Sequence, residues 1–331
     1  MRTALLIAFS TPALAQVLVN GAGATFPYPI YARWFDEFHR LHPGALINYQ
    51  SVGSGAGIRQ LKAGVLDLGA SDMPLNDSDP ALSAKGLLHF PTVIGGVVPI
   101  YNLPNFTREL NFTPQTLAGI MLGKITRWDD PLLIEGNRGV KLPTAEIFVV
   151  HRSDGSGTTY ILSEYLSKTS EEWKATVGMG TSIRWKVGIG AKGNEGVAGL
   201  VKQTPFSFGY VELVYAEQNR ITSGRVRNAS GRFIRAGLAT ISAAAASSAG
   251  AMPDDFRISI TNPPGRDAYP IASYTWLLTP ARIPDPVKKR IIVDFLHWMV
   301  LDGQRMAEDL GYARLPPSVA SKVWKACDRI Q

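Results

Sequence analysis

The sequence predicts an α/β fold with mostly parallel sheets, divided into about two domains. The chain has 331 residues, enough for two cores of ordinary size. An apolar run, a glycine-bearing turn and a helical pattern follow one another repeatedly. Strands then keep alternating with amphipathic helices towards the C-terminus, which is the pattern of βαβ units. No repeat appears at a period of 20–50 residues, so a solenoid is excluded.

The first fifteen residues read as a secretory signal peptide. Met1-Arg2 is a basic start, Ala4 to Phe9 an apolar core, and Ala13-Leu14-Ala15 a small-residue cleavage pattern before Gln16. The apolar core is far shorter than the ~20 residues that span a bilayer. No cysteine follows it to carry a lipid, so a soluble exported protein is expected.

Val17 to Asn20 is a strand leading into Gly21-Ala22-Gly23-Ala24-Thr25-Phe26-Pro27. Residues 29–41 then place Ile30, Trp34, Phe35, Phe38 and Leu41 at helical spacing, so these side chains belong to a core. Thr25 stands where a helix cap or a ligand donor would stand. Residues 46–52 form the next strand, followed by Gly53-Ser54-Gly55-Ala56-Gly57 and a helix over 58–63. Small residues there admit a close ligand, and Ser54 offers both an N–H and a hydroxyl. Residues 66–72 are a third strand that ends on Asp72, at the strand edge where open α/β sheets place ligands. A turn-forming role is the alternative for this aspartate.

Residues 87–100 are apolar and interrupted by Gly95-Gly96, where we place a hinge between domains. Residues 113–122 and 130–135 are helical, and 147–150 are a strand. After that strand comes Arg152-Ser153-Asp154-Gly155-Ser156-Gly157-Thr158-Thr159, then a helix over 160–168. The first N–H groups of such a helix lack partners, and its dipole favours an anion. Ser156, Thr158 and Thr159 add hydroxyls, and Arg152 adds a permanent charge. A small, doubly charged oxyanion fits this stretch. Ordinary helix capping by Ser and Thr is the alternative. Further on, the pattern predicts helices over 195–203 and 212–218 around a strand at 206–211. An Ala/Ser-rich, solvent-facing helix is expected over 236–251 and a return crossing over 258–267. A strand at 270–278 and helices over 285–300 and 316–325 complete the chain.

Other chemistries are poorly supported. None of the glycine runs completes G-x-G-x-x-G: Phe26, Ile58 and Tyr160 occupy the third glycine position. Gly188 and Gly193 have P-loop spacing, but Asn194 follows where the motif needs Lys. No G-x-S-x-G elbow surrounds Ser54 or Ser156. His39, His42, His89, His151 and His297 form no metal-binding array, so no metal or cofactor is expected. Cys327 is the single cysteine and has no histidine nearby in sequence. The formal charge is +7, but the basic residues are scattered, which disfavours nucleic acid.

Eight stretches resemble the periplasmic phosphate-binding proteins of the phosphate-specific ABC transporter. They are GAGATFP (21–27), GSGAG (53–57), LDLGASDMPL (66–75), FPTVIGGVV (90–98), LGKITRWDDP (122–131), RSDGSGTT (152–159), GAKGNEGVA (190–198) and GYVE (209–212). The resemblance implies a two-domain periplasmic-binding-protein fold with inorganic phosphate in the cleft. The first domain would comprise residues 16–94 and 266–331, and the second residues 95–265. Thr25, Phe26 through its backbone N–H, Ser54 and Asp72 would face phosphate from the first domain. Arg152, Ser156, Gly157 and Thr158 would face it from the second, with Asp154 holding the Arg152 fork. Where the family often has a second serine, this chain has Gly55. The implied protein is a monomer that is not an enzyme and delivers phosphate to the permease and ATPase subunits of an importer. An exported phosphoesterase or a binder of another oxyanion are the alternatives.

Overall fold

An eight-stranded sheet runs through the protein in the order β2-β1-β3-β11-β4-β8-β6-β7. The structure is a computed structural model and describes residues 16–76, 86–106 and 108–331. The expected signal peptide lies outside the described residues. The strands are β1 (Val17–Gly23), β2 (Ala45–Ser51), β3 (Leu68–Ser71), β4 (Leu87–Asn102), β5 (Asn111–Phe112), β6 (Phe148–Arg152), β7 (Ile189–Ala191), β8 (Ser207–Glu212), β9 (Arg225–Arg227), β10 (Phe233–Ile234) and β11 (Ala272–Pro280). The two flanks of the main sheet are parallel: β1 pairs with β2 and β3, and β6 with β7 and β8. The middle is antiparallel, with β11 against β3 and β4, and β4 against β8.

β4 is 16 residues long and joins the flanks. It pairs with β11 from Leu87 to Gly96 and with β8 from Val97 to Asn102. Gly95-Gly96 therefore does not interrupt the strand, contrary to the sequence expectation. The glycines are there because the space is filled. A Cβ at Gly95 would sit 2.6 Å from the Phe26 ring, and one at Gly96 3.1 Å from Ile241 and 3.2 Å from Tyr269.

Helices cover the sheet. In Tyr28–Leu41 the buried face is Ile30, Tyr31, Trp34, Phe35 and Phe38. Phe35 and Phe38 meet Phe295 of the helix Pro286–Leu301 at ring separations of 5.0 and 5.3 Å, and Trp34 Nε1 donates to Gly303 O at 2.7 Å. The aromatics at helical spacing are thus core, as their periodicity indicates. Two helices begin earlier than the apolar pattern suggests. Ser54–Ala63 and Gly157–Thr169 start inside their glycine runs, because small residues bend without breaking the helix start.

The Ala/Ser-rich stretch departs from expectation. Its helix is only Leu238–Ala246, with a 3-10 turn at Ala249–Ala251, and it buries Ile241, Ala244 and Ala245 rather than facing solvent. Small alanine side chains let it approach the sheet, a role that composition alone does not reveal. A second small sheet, β10-β9-β5, was also beyond the periodicity, since its strands have two or three residues. Cys327 is buried, and burial pushes its thiol up to about 12, which disfavours the reactive thiolate. Among the described residues no helix is long and apolar enough to cross a membrane.

Candidate functional site

Four chain segments converge at the C-terminal ends of the parallel strands. β1 delivers Thr25 and Phe26, the turn after β2 delivers Ser54, β3 ends just before Asp72, and β6 ends on Arg152. Thr25, Phe26, Ser54, Asp72, Arg152, Ser156 and Thr158 are all at most 2% exposed. The turns fit closely: a Cβ on Gly57 would lie 2.5 Å from Gly23 Cα. The glycines of the first two runs therefore let two turns share one space.

On one wall, Asp72 is fixed by groups that donate to it. Thr275 Oγ1, from β11, donates to Asp72 Oδ1 at 2.6 Å. The Asp72 N–H donates to Ser54 Oγ at 3.3 Å, and Ser54 Oγ lies 3.5 Å from Asp72 Oδ2. Burial pushes the carboxyl up to about 7. The Thr275 hydroxyl, the Arg152 charge and the Ser54 hydroxyl pull against that rise. The backbone at Thr25 and Phe26 is also pinned, since Tyr215 and Tyr312 donate to their carbonyls at 2.5 and 2.6 Å.

On the other wall, Asp154 accepts from Arg152 Nε at 2.8 Å and from Nη2 at 2.5 Å. Asp154 Oδ1 also accepts from the Gly193 N–H at 3.1 Å. Burial would raise this carboxyl, but the Arg152 hydrogen bonds and charge, with the Gly193 N–H, hold it below the usual range. The fork of Arg152 is thereby oriented, and its Nη1 reaches Thr158 Oγ1 at 3.4 Å. Replacing Asp154 by Asn should free that fork. We expect affinity for an anion held between the walls to fall about tenfold or more. Unfolding free energy should drop by about 3 kcal/mol, because a buried charge loses its partner. Calorimetric titration and denaturant unfolding of Asp154→Asn measure the two effects.

Ser156 caps the helix Gly157–Thr169, its Oγ accepting from the Thr159 N–H at 3.0 Å. The ladder itself begins with the Tyr160 N–H on Ser156 O at 3.1 Å. Gly157 and Thr158 stand before that ladder, where helix N–H groups have no carbonyl four residues back. Capping and anion binding are thus compatible uses of one turn: Ser156 accepts as a cap while its own proton is free to donate elsewhere. Thr159 points away from this wall, its Oγ1 2.6 Å from Tyr210 OH.

The walls are in contact. The Gly55 N–H donates to Gly155 O at 2.9 Å, and Asn194 Nδ2 donates to Thr25 Oγ1 at 2.8 Å. A Cβ at Gly157 would be 2.3 Å from Asp72 Oδ2 and 2.5 Å from Ser54 Oγ. Thr25, Phe26, Ser54, Asp72, Arg152, Ser156, Gly157 and Thr158 therefore lie in one buried cluster, whereas the Thr159 hydroxyl, also offered by the sequence, turns to Tyr210 instead. His151 does not join it: the ring stacks on Trp185 at 4.7 Å beside the Arg152 backbone.

Sequence reasoning missed Asn194 and Thr275. Asn194 lies in the stretch that fails as a P-loop for want of a lysine, and that failure hid an amide of another use. Thr275 sits in an apolar strand, where one hydroxyl carries no signal. It missed Glu212 as well. Glu212 is fully buried, with Oε2 capping Val214 at 2.8 Å and Oε1 without a hydrogen-bond partner. Burial drives its carboxyl well above the usual range, helped by the Glu217 and Asp72 charges. Among the described residues, no group of three His, Cys, Asp or Glu side chains could hold a metal ion.

One guanidinium, neutral donors and a buried carboxylate, supplied from both flanks of a shared sheet, define a two-domain α/β binding protein. Residues 10–302 match the PBP superfamily domain. The chain is 44% identical over 319 residues to the phosphate-binding protein PstS of Xylella fastidiosa (strain Temecula1), covering 95% of this chain and 87% of that protein. It is 42% identical over 328 residues to PstS of Pasteurella multocida, covering 97% and 94%. Its fold is similar to the solved structure of a high affinity periplasmic phosphate-binding protein, PfluDING, bound with phosphate. That match has a TM-score of 0.74 at 22% identity and covers 94% of both chains. The chain belongs to the PstS family of phosphate-binding proteins, within the PBP superfamily.

Proposed function

We propose that this protein binds inorganic phosphate and hands it to the permease and ATPase subunits of an ABC importer. Thr25, the Phe26 N–H, Ser54 and Asp72 hold the anion from one side, and Arg152, Ser156, Gly157 and Thr158 from the other. The first domain is residues 16–94 with 266–331, and the second is 95–265, linked through β4 and β11. The protein works in the periplasm as a monomer after loss of residues 1–15, and it catalyses no reaction. The observation that carries this reading is the placement of Asp72 among donors.

Hydrogen phosphate has a proton to donate and sulfate, near neutral pH, has none. An ionised Asp72 accepts that proton's hydrogen bond. Against sulfate it meets a bare oxygen with like charge and no donor. An unmet buried acceptor is unfavourable by about 1–3 kcal/mol, more when charged. Arsenate shares both the shape and the proton of phosphate, so it competes.

Arg152, Asp154 and ionised Asp72 together carry no positive excess. The anion is therefore held by directed donors and the helix N-terminus rather than by net charge. Affinity should accordingly change less than about threefold between 0.05 and 0.5 M NaCl, because buried contacts are little screened. Equilibrium dialysis with radiolabelled phosphate measures this. The same experiment, with arsenate and sulfate as competitors, tests the function. Displacement by arsenate and not by sulfate supports it, and absence of retained phosphate rejects it. Release of p-nitrophenol from its phosphate ester would reject the non-catalytic reading.

A further inference from the structure

Asn194 is fully buried and is the second residue of the helix Gly193–Gln203. Its side-chain oxygen accepts from the Glu212 N–H at 3.0 Å. A backbone N–H only donates, so this contact settles which way the amide faces: the oxygen towards Glu212, the NH2 group towards the cleft. That NH2 group donates to Thr25 Oγ1 at 2.8 Å and to Thr158 Oγ1 at 3.1 Å. The Asn194 backbone N–H also points at Thr25 Oγ1, at 3.4 Å. Thr158 Oγ1 can also donate to Asn194 Oδ1, but at 3.5 Å that contact is at the limit of a hydrogen bond and the longest of the set.

Two consequences follow from one amide. Thr25 and Thr158 stand on opposite walls, so Asn194 ties the walls together. Each threonine oxygen also accepts a hydrogen bond from Asn194, and Thr158 Oγ1 accepts a second from Arg152 Nη1. A hydroxyl that accepts on that side must place its own single proton elsewhere. We propose that Asn194 is a positioning residue that latches the closed cleft and turns both threonine hydroxyls into donors towards the bound anion. The inference rests on the phosphate-binding reading. Asn194 itself need not touch phosphate.

The test compares wild type with Asn194→Ala, Asn194→Asp and Thr25→Val, alone and with each Asn194 variant. Phosphate binding is followed by stopped-flow intrinsic fluorescence and by calorimetry. The link to Thr25 exists only when the walls meet, so Asn194→Ala should raise the phosphate off-rate at least tenfold. Its on-rate should stay within about threefold of wild type. Asn194→Asp has the same shape but accepts where Asn194 donates, and draws the threonine protons away from the anion. It should bind phosphate at least tenfold more weakly than Asn194→Ala. Its added charge alone would weaken binding equally with or without the Thr25 hydroxyl. We therefore expect part of the excess loss to vanish in the Thr25→Val background.

An off-rate for Asn194→Ala equal to wild type overturns the latch. Equal affinities for the Ala and Asp variants, or strict additivity with Thr25→Val, overturn the donor role. Unfolding of each variant without phosphate separates these outcomes from misfolding; Thr25→Val combined with wild-type Asn194 reports the same contact from its other end. If wild type binds no phosphate, the phosphate reading fails and this inference with it. If wild type binds and the Asn194 variants match it, only the inference fails.

Discussion

Gly157→Ala should abolish tight phosphate binding while leaving the ligand-free protein as stable as before. The added methyl would stand 2.3 Å from Asp72 Oδ2, 2.5 Å from Ser54 Oγ and 2.6 Å from Asp72 Cβ. These atoms cannot move aside easily. Asp72 is buried and tied to Thr275 at 2.6 Å, and Ser54 is buried beside it. Atoms in ordinary contact sit about 3.5–4.0 Å apart. The walls must then separate by roughly 1 Å, which breaks the Gly55–Gly155 and Asn194–Thr25 contacts and misplaces every donor. A loss of at least about hundredfold in affinity, about 2.7 kcal/mol, is expected. The clash exists only while the walls touch, so walls held apart would bear none, and a helix tolerates Ala better than Gly. The variant should therefore melt at or above the wild-type temperature without phosphate, and should not gain stability when phosphate is added. Calorimetry and thermal unfolding with and without phosphate check both halves. Wild-type affinity in the variant would show that the walls do not close as described.

Asp72→Asn should erase discrimination against sulfate. The amide offers a donor where the carboxylate offers charge, so the penalty of about 1–3 kcal/mol on sulfate disappears. Sulfate affinity should rise about tenfold to a hundredfold relative to phosphate. The raised carboxyl adds a pH signature. With Asp72 pushed up to about 7 by burial where the walls meet, acidification lets it take its own proton and become a donor. Sulfate binding to wild type should therefore strengthen as pH falls through about 7, and should be flat in the variant. Stability carries the same sign. The folded carboxyl binds its proton more tightly than the unfolded one, whose ordinary value is 3.8. The stabilisation is fully present below that value and is lost as pH rises through about 7. The difference in unfolding free energy between wild type and Asp72→Asn should thus decline over that window, by up to about 1.4 kcal/mol per pH unit. A difference independent of pH would mean that Asp72 does not titrate there.

Much of this site is legible in the sequence because its parts are local. A strand, a small-residue turn and a helix start are contiguous, and together they say where unpaired N–H groups and hydroxyls will be. Arg152, Asp154, Ser156 and Thr158 fall within seven residues, a spacing that fits helix capping as well as an anion, and it is the recurrence of similar turns that favours the anion. Asn194 and Thr275 are invisible for the opposite reason. Each acts through a partner far along the chain, Thr25 for Asn194 and Asp72 for Thr275. Nothing near Thr275 distinguishes it from the rest of a buried strand. Gly95-Gly96 shows how composition misleads: the pair reads as a break, yet the strand continues and the glycines make room for Phe26, Ile241 and Tyr269. The Ala-rich helix misleads in the same way, since small side chains serve close packing as well as solvent exposure.

Calorimetric titration of the phosphate-stripped protein at pH 8, with phosphate and then sulfate, tests the central claim most directly. The account predicts saturable binding of one phosphate per chain and sulfate binding at least tenfold weaker. Equal affinity for the two anions, or no heat with phosphate, would contradict it.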